Sequence, residues 1–162
     1  LHSRYLSGTA YLEVNAAHEI HSLINAKDPS APFRHQGVMF YPDLTMRSVS
    51  EVMQKHYKYA ILDFGRPTPH TFLEFARCDH RIVLADSAVW KSDELDRFAK
   101  ELKKNNIAWD TCRTVCMRGK KSDYARLSRD FGIHVISAPD LRDPFHITSN
   151  SFSFFEKLLK GD

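Results

Sequence analysis

Residues 57 to 65 read YKYAILDFG, a run of apolar and aromatic positions that ends on an aspartate, Asp63, and a glycine, Gly65. A short run rich in Tyr, Ile and Leu reads as a β-strand. Its closing carboxylate has two readings. Asp63 opens a turn completed by Gly65 and Pro67, or it stands at the mouth of a sheet to hold a metal ion or a water. The position of this strand among the other elements decides between them.

Upstream, TAYLEVN (9 to 15) reads as a strand and AAHEIHSLINA (16 to 26) as a helix with Ile20, Leu23 and Ile24 on one face. GVMFYP (37 to 42) is a second strand, and LTMRSVSEVMQKHY (44 to 57) a helix with Met46, Val49, Val52 and Met53 at helical spacing. Downstream, TPHTFLEFARC (68 to 78) is a helix. RIVLADS (81 to 87) is a nearly all-apolar strand of the kind buried on both faces of a parallel sheet. SDELDRFAKELKKNN (92 to 106) carries acidic residues in its first turn, lysines in its last, and a stripe of Leu95, Phe98, Ala99 and Leu102. A strand at 110 to 119, a helix at 122 to 132, a strand at 134 to 139 and an amphipathic helix at 151 to 161 complete the chain.

Six strands separated by helices, with no hairpin dipeptide between them, predict an α/β fold. The expected architecture has three layers around a mostly parallel, doubly wound sheet, in one domain spanning residues 1 to 162. In such sheets ligands sit outside the carboxyl ends of the strands. Those ends are Glu13 and Asn15, Pro42 and Asp43, 63 to 66, 86 to 91, 118 to 121 and 139 to 143. Topology alone therefore puts Asp63 where chemistry takes place.

Composition narrows the function classes. At 162 residues, with 43% hydrophobic and 12% aromatic content, the chain is long enough for a substantial core. A formal charge of +3 does not mark a nucleic-acid binder, and the basic cluster RGKKSDYAR (118 to 126) reads as a solvated loop and helix start. No apolar run approaches membrane-spanning length, and the helix at 151 to 161 is expected to dock on the sheet. Nucleic acid and membrane are thus not expected partners. Three cysteines, Cys78, Cys112 and Cys116, argue against a disulfide framework and for a reducing, cytoplasmic setting.

The order of motifs resembles the MinD/ParA group of P-loop ATPases, the deviant Walker family, over nearly the whole chain. YKYAILDFG is similar to that family's Y-D-Y-x-I-I-D strand, with Asp63 at the Walker B position. TAYLEVNA places Glu13 and Asn15 where the family reads I-D-x-D. RCDHRIVLADSAVWKSDEL resembles a later strand-to-helix passage. RTVCMRG has Arg118 in place of an Asn at a strand end, and ISAPDLRDPF resembles the segment that packs near the nucleotide base.

The resemblance implies ATP and Mg2+ as cofactors, with Asp63 holding Mg2+ through a coordinated water. It places Glu13 and Asn15 near the hydrolytic water, and Arg118, Pro139 and Asp140 near the nucleotide. It also implies a homodimer through the nucleotide face, a protein partner, and a role in positioning, partition or assembly. No G-K-G-G-x-G-K-[ST] loop occurs in the 162 residues, so the backbone cradle and lysines that bind phosphate are absent from them. Asn15 has no general-base chemistry, although it can orient a water.

The chain is accordingly expected to be part of a longer protein whose P-loop strand precedes it, and to turn over ATP only with that loop restored. In the family topology the P-loop strand lies between the Walker B strand and the next one. Here, then, either the strands at 59 to 64 and 81 to 86 close up or two edges are left open. Two other classes fit the same pattern: a catalytically silent Rossmann-like interaction domain using the strand ends or residues 85 to 91, and a flavodoxin-type ligand-binding module.

Overall fold

The computed structural model describes residues 8–15, 19–23, 28, 30–66, 68–86, 88, 92–117, 119–140 and 148–160. Arg118, residues 87 and 89–91, and residues 141–147 lie outside them. The chain falls into two compact units, Leu1–Phe75 and Ala76–Asp162.

The first unit is built on a four-stranded sheet. Its strands are β1 (Thr9–Glu13), β2 (Phe33–His35), β3 (Val38–Tyr41) and β4 (Tyr59–Asp63), in the order β2-β3-β1-β4. β1 runs parallel to both β3 and β4. Helix α1 (Met46–Met53) links β3 to β4, and α2 (Pro69–Arg77) follows β4. The Thr45 hydroxyl accepts the Ser48 N–H at 3.3 Å, satisfying one of the donors that α1 would otherwise leave unpaired at its start.

Strand alternation sends Ala10 and Leu12 to one face, where they form a core with Tyr41 and with Val49 and Val52 of α1. Leu12 is fully buried, which stabilises the unit by roughly 2 kcal/mol relative to exposure. At the start of α2, Thr68 and Thr71 cap each other. The Thr68 hydroxyl accepts the Thr71 N–H at 3.3 Å, and the Thr71 hydroxyl accepts the Thr68 N–H at 2.8 Å.

The second unit holds a parallel sheet in the order β5-β6-β7, made of β5 (Arg81–Ala85), β6 (Cys112–Cys116) and β7 (Val135–Ser137). Helices α3 (Ser92–Lys104) and α4 (Lys121–Phe131) make the two crossovers, and α5 (Ser149–Lys160) follows β7. Leu95 and Leu127 pack on Ala85 and Cys116, with Trp109, Tyr124 and Phe131 around them. The Trp109 indole donates to the buried Thr114 hydroxyl at 3.0 Å, which resolves the polar cost of both groups. As expected, α5 docks on the sheet: the Arg113 guanidinium of β6 donates to the carbonyls of Leu158 at 2.5 Å and Leu159 at 3.2 Å. A cation there meets the carbonyl end of the helix, where the helix dipole favours positive charge.

The α/β class and the prevalence of parallel pairing match the sequence reading, and three details correct it. First, β2 and β3 form an antiparallel hairpin, with Phe33 opposite Phe40 and His35 opposite Val38. Its two loop residues, Gln36 and Gly37, both sit at positive φ, 48° and 83°. That geometry suits a two-residue turn whose twist follows the strands. The pair Gln-Gly does not carry the usual Asn-Gly or Asp-Gly signal, and so the hairpin was not expected. Second, the described part of the 16–26 segment is a 3-10 turn, Ile20–Leu23, rather than an α-helix.

Third, β5, read as buried on both faces, is not, and β4 shares that exposure. Among the described residues each lies at the end of its own sheet's strand order. Tyr59 and Ile61 of β4 are 43% and 52% exposed, and Leu84 of β5 is 66% exposed. None of the described helices is long and apolar enough to cross a membrane.

Cys78, Cys112 and Cys116 are not joined in disulfides. Cys116 is fully buried, and burial raises the Cys112 thiol above its ordinary value, disfavouring the reactive thiolate. Iodoacetamide at neutral pH is therefore expected to label half-buried Cys78 first, leaving Cys112 and Cys116 unmodified until denaturant is added. Peptide mass spectrometry reads the order directly, and equal labelling of all three would show that β6 is not a core strand.

Candidate functional site

The carboxyl ends of β1 and β4 lie side by side, because the parallel register pairs Tyr11 with Ile61 and Glu13 with Asp63. The Val14 N–H continues that register, donating to the Asp63 carbonyl at 2.9 Å. Both sequence-predicted acids of the first unit and Asn15 are thus brought together by one strand pairing.

The two carboxylates are held in different ways. Glu13 is 1% exposed. Its Oε1 accepts the N–H groups of Glu19 at 2.8 Å and Ile20 at 3.3 Å, and its Oε2 accepts the N–H of Asp43 at 3.4 Å. The Glu13 main-chain carbonyl also accepts the Leu44 N–H at 2.8 Å. One residue therefore ties the end of β1 to the 3-10 turn and to the end of β3. This side chain is committed to backbone donors, and a buried donor such as the Ile20 N–H needs such an acceptor.

Asp63 is half-buried and keeps capacity to spare. Its Oδ1 accepts the Gly65 N–H at 2.9 Å, and its Oδ2 accepts the Tyr11 hydroxyl at 2.5 Å. The first contact is the turn reading of YKYAILDFG made concrete: the aspartate bonds the backbone two residues on. It does not exclude the second, since an ionised carboxylate offers about four lone-pair sites and these bonds use two. The Tyr11 hydroxyl is pushed well above its ordinary range, first by burial and then by the Asp63 carboxylate, so it stays a donor.

Asn15 sits across from the turn, with its Nδ2 at 3.5 Å from the Asp63 carbonyl. Gly65 adopts φ +53°, and a Cβ placed there would lie 2.7 Å from the Asn15 Cβ. The close approach of Asn15 and the turn thus depends on the missing side chain at Gly65.

The remaining predicted residues are in the second unit. Pro139 and Asp140 follow β7, Pro139 half-buried and Asp140 exposed, while Arg118 lies outside the described residues. No cluster of three His, Cys, Asp or Glu side chains suited to a metal ion forms among the described residues. The chemistry of Asp63 fits a hard ion bound through water, a contact that needs one free carboxylate lone pair and no cage of protein ligands. Glu13, 1% exposed and already accepting three backbone N–H groups, does not fit direct ligation. Sequence reasoning passed over Tyr11. Its signal was parity, since Tyr11 lies two residues before Glu13 and so shares its face, but only the β1–β4 register makes that informative.

No protein-family model and no curated protein sequence matches the chain. Solved structures do. A ParA family ATPase from Chlorobium tepidum superposes with a TM-score of 0.59 at 11% identity, covering 86% of this chain and 74% of that one. The MinD cell division protein of Aquifex aeolicus gives 0.55 at 11% identity, over 87% and 73%. A chain described as a plasmid partition protein of Borrelia burgdorferi, bound to AMPPNP, gives 0.60 at 14% identity, over 94% and 84%. At such identities the likeness speaks for the backbone, and what it shows is that this chain has the MinD/ParA-like α/β fold of P-loop ATPases.

Proposed function

We propose that the chain is the Walker B-bearing part of a MinD/ParA-type nucleotide switch that acts in the cytoplasm in positioning, partition or assembly. The observation that carries this reading is Asp63, at the carboxyl end of a parallel strand, hydrogen-bonded on both oxygens yet with lone pairs to spare. A fold shared with a ParA family ATPase, a MinD cell division protein and a plasmid partition protein bound to AMPPNP supports it.

In this reading Asp63 would hold Mg2+ through a coordinated water, and Asn15 would orient the attacking water. Glu13 holds the backbone that presents both. Pro139 and Asp140, with Arg118, contribute contacts to the nucleotide. Mg2+ bound with ATP would supply charge neutralisation at the phosphates. The phosphate-binding loop comes from outside the 162 residues, so the chain alone is expected to be inactive. The nucleotide face is also where a second copy would join to make a homodimer, and a protein partner would read the result.

A catalytically silent interaction domain is the second reading, favoured by the absence of the Gly-rich loop and by the internal satisfaction of Asp63. Calorimetry with Mg-ATP separates the two. The chain extended upstream in its own reading frame is expected to bind, and to lose binding on Asp63→Asn. The 162-residue chain is expected not to bind. Absence of binding in the extended chain would favour the silent domain.

A further inference from the structure

Building on the reading of Asp63 as the Mg2+-side carboxylate, we infer that Tyr11 is a positioning residue that fixes the plane of the Asp63 side chain for a metal-bound water. Two independent donors hold that carboxylate, one on each oxygen: the Gly65 N–H at 2.9 Å and the Tyr11 hydroxyl at 2.5 Å. A carboxylate gripped at one oxygen swings about its Cβ–Cγ bond, whereas one gripped at both keeps its remaining lone pairs aimed in fixed directions. Pre-orientation of this kind is what partners of metal-side carboxylates provide.

Tyr11 is itself held in place. Its ring lies 5.5 Å from that of Phe40, which stacks on Phe33 at 5.1 Å with an interplanar angle of 6°. The hairpin that carries Phe33 and Phe40 is thereby connected to the site through a row of three rings. Reaching Asp63 is a diagonal contact across the parallel pair, since Tyr11 faces Ile61 and Asp63 lies two residues further on the same face. Only a long side chain with a terminal donor spans that offset. Phenylalanine would preserve the ring packing and remove the donor, so the contribution of the hydroxyl is separable from the fold.

The test has two arms. In the 162-residue chain, NMR of the Asp63 carboxyl carbon and the Gly65 amide reports whether Tyr11 holds the side chain. Tyr11→Phe is expected to shift both resonances while leaving the thermal unfolding midpoint close to wild type. Unmoved resonances would overturn the inference, whatever the chain binds. In the chain extended upstream, Tyr11→Phe is expected to raise the Mg2+ concentration needed for ATP binding by about 10- to 100-fold. ATP affinity without Mg2+ is expected to stay the same, an outcome that general structural damage would not give. Equal Mg2+ dependence in the two proteins would defeat the positioning role. No Mg-ATP binding by wild type would instead defeat the underlying ATPase reading, and with it the metal part of this inference.

Discussion

Replacing Glu13 by alanine is expected to lower the unfolding free energy by about 3 kcal/mol, read as a fall in the urea midpoint followed by circular dichroism. The side chain is 1% exposed and accepts three backbone N–H groups, from Glu19, Ile20 and Asp43. Alanine removes all three acceptor contacts and opens a cavity. The Glu19 and Asp43 backbones lie at exposed positions and recover water in part, whereas Ile20 is buried and its N–H recovers little. Glutamine keeps the shape and one oxygen, which can still serve the two donors on Oε1, so Glu13→Gln is expected to cost about 1 kcal/mol. A loss within about 0.5 kcal/mol for the alanine variant, the range of surface substitutions, would show that Glu13 is not a fastener and would return it to direct contact with water or metal.

That expectation marks where the sequence was legible and where it was not. The strand at YKYAILDFG and the α/β class followed from local pattern, because period-2 and period-3.6 hydrophobicity identify elements; parallel topology put Glu13, Asn15 and Asp63 among the strand ends, and the family resemblance singled those three out. What Glu13 does with its carboxylate was not local. Its donors are six, seven and thirty residues away, and no spacing rule reports them. The exposure of Leu84 and Ile61 has the same origin. An all-apolar strand looks doubly buried, but the burial of its side chains is set by what packs on the two faces of its sheet, which is a property of the whole fold. The Gln36–Gly37 hairpin escaped notice for a different reason: Gln at φ 48° is an uncommon choice, tolerated because the Phe33–Phe40 stack and the strand pairing offset its strain.

Substituting Gly65 by alanine is expected to cost about 3 kcal/mol and to weaken the Asp63 site as well. Two separate penalties contribute. At φ +53° an L side chain meets its own backbone, worth about 1 to 2 kcal/mol. The added Cβ also falls 2.7 Å from the Asn15 Cβ and 3.2 Å from its Cγ, so Asn15 or the turn must move, at about 1 to 3 kcal/mol. Movement of the turn loosens the Gly65 N–H on Asp63 Oδ1, and movement of Asn15 draws its amide off the Asp63 carbonyl. The two penalties are separable in a double-mutant cycle with Asn15→Gly, which removes the clash and leaves the backbone strain. The coupling energy is expected to be favourable by about 1 to 2 kcal/mol, with the residual cost of alanine falling to that of the positive φ alone. If Gly65→Ala costs the same in both backgrounds, the close approach of Asn15 to the turn is not what requires glycine. The carboxyl end of β4 would then be governed by its backbone conformation and not by the packing of its neighbour.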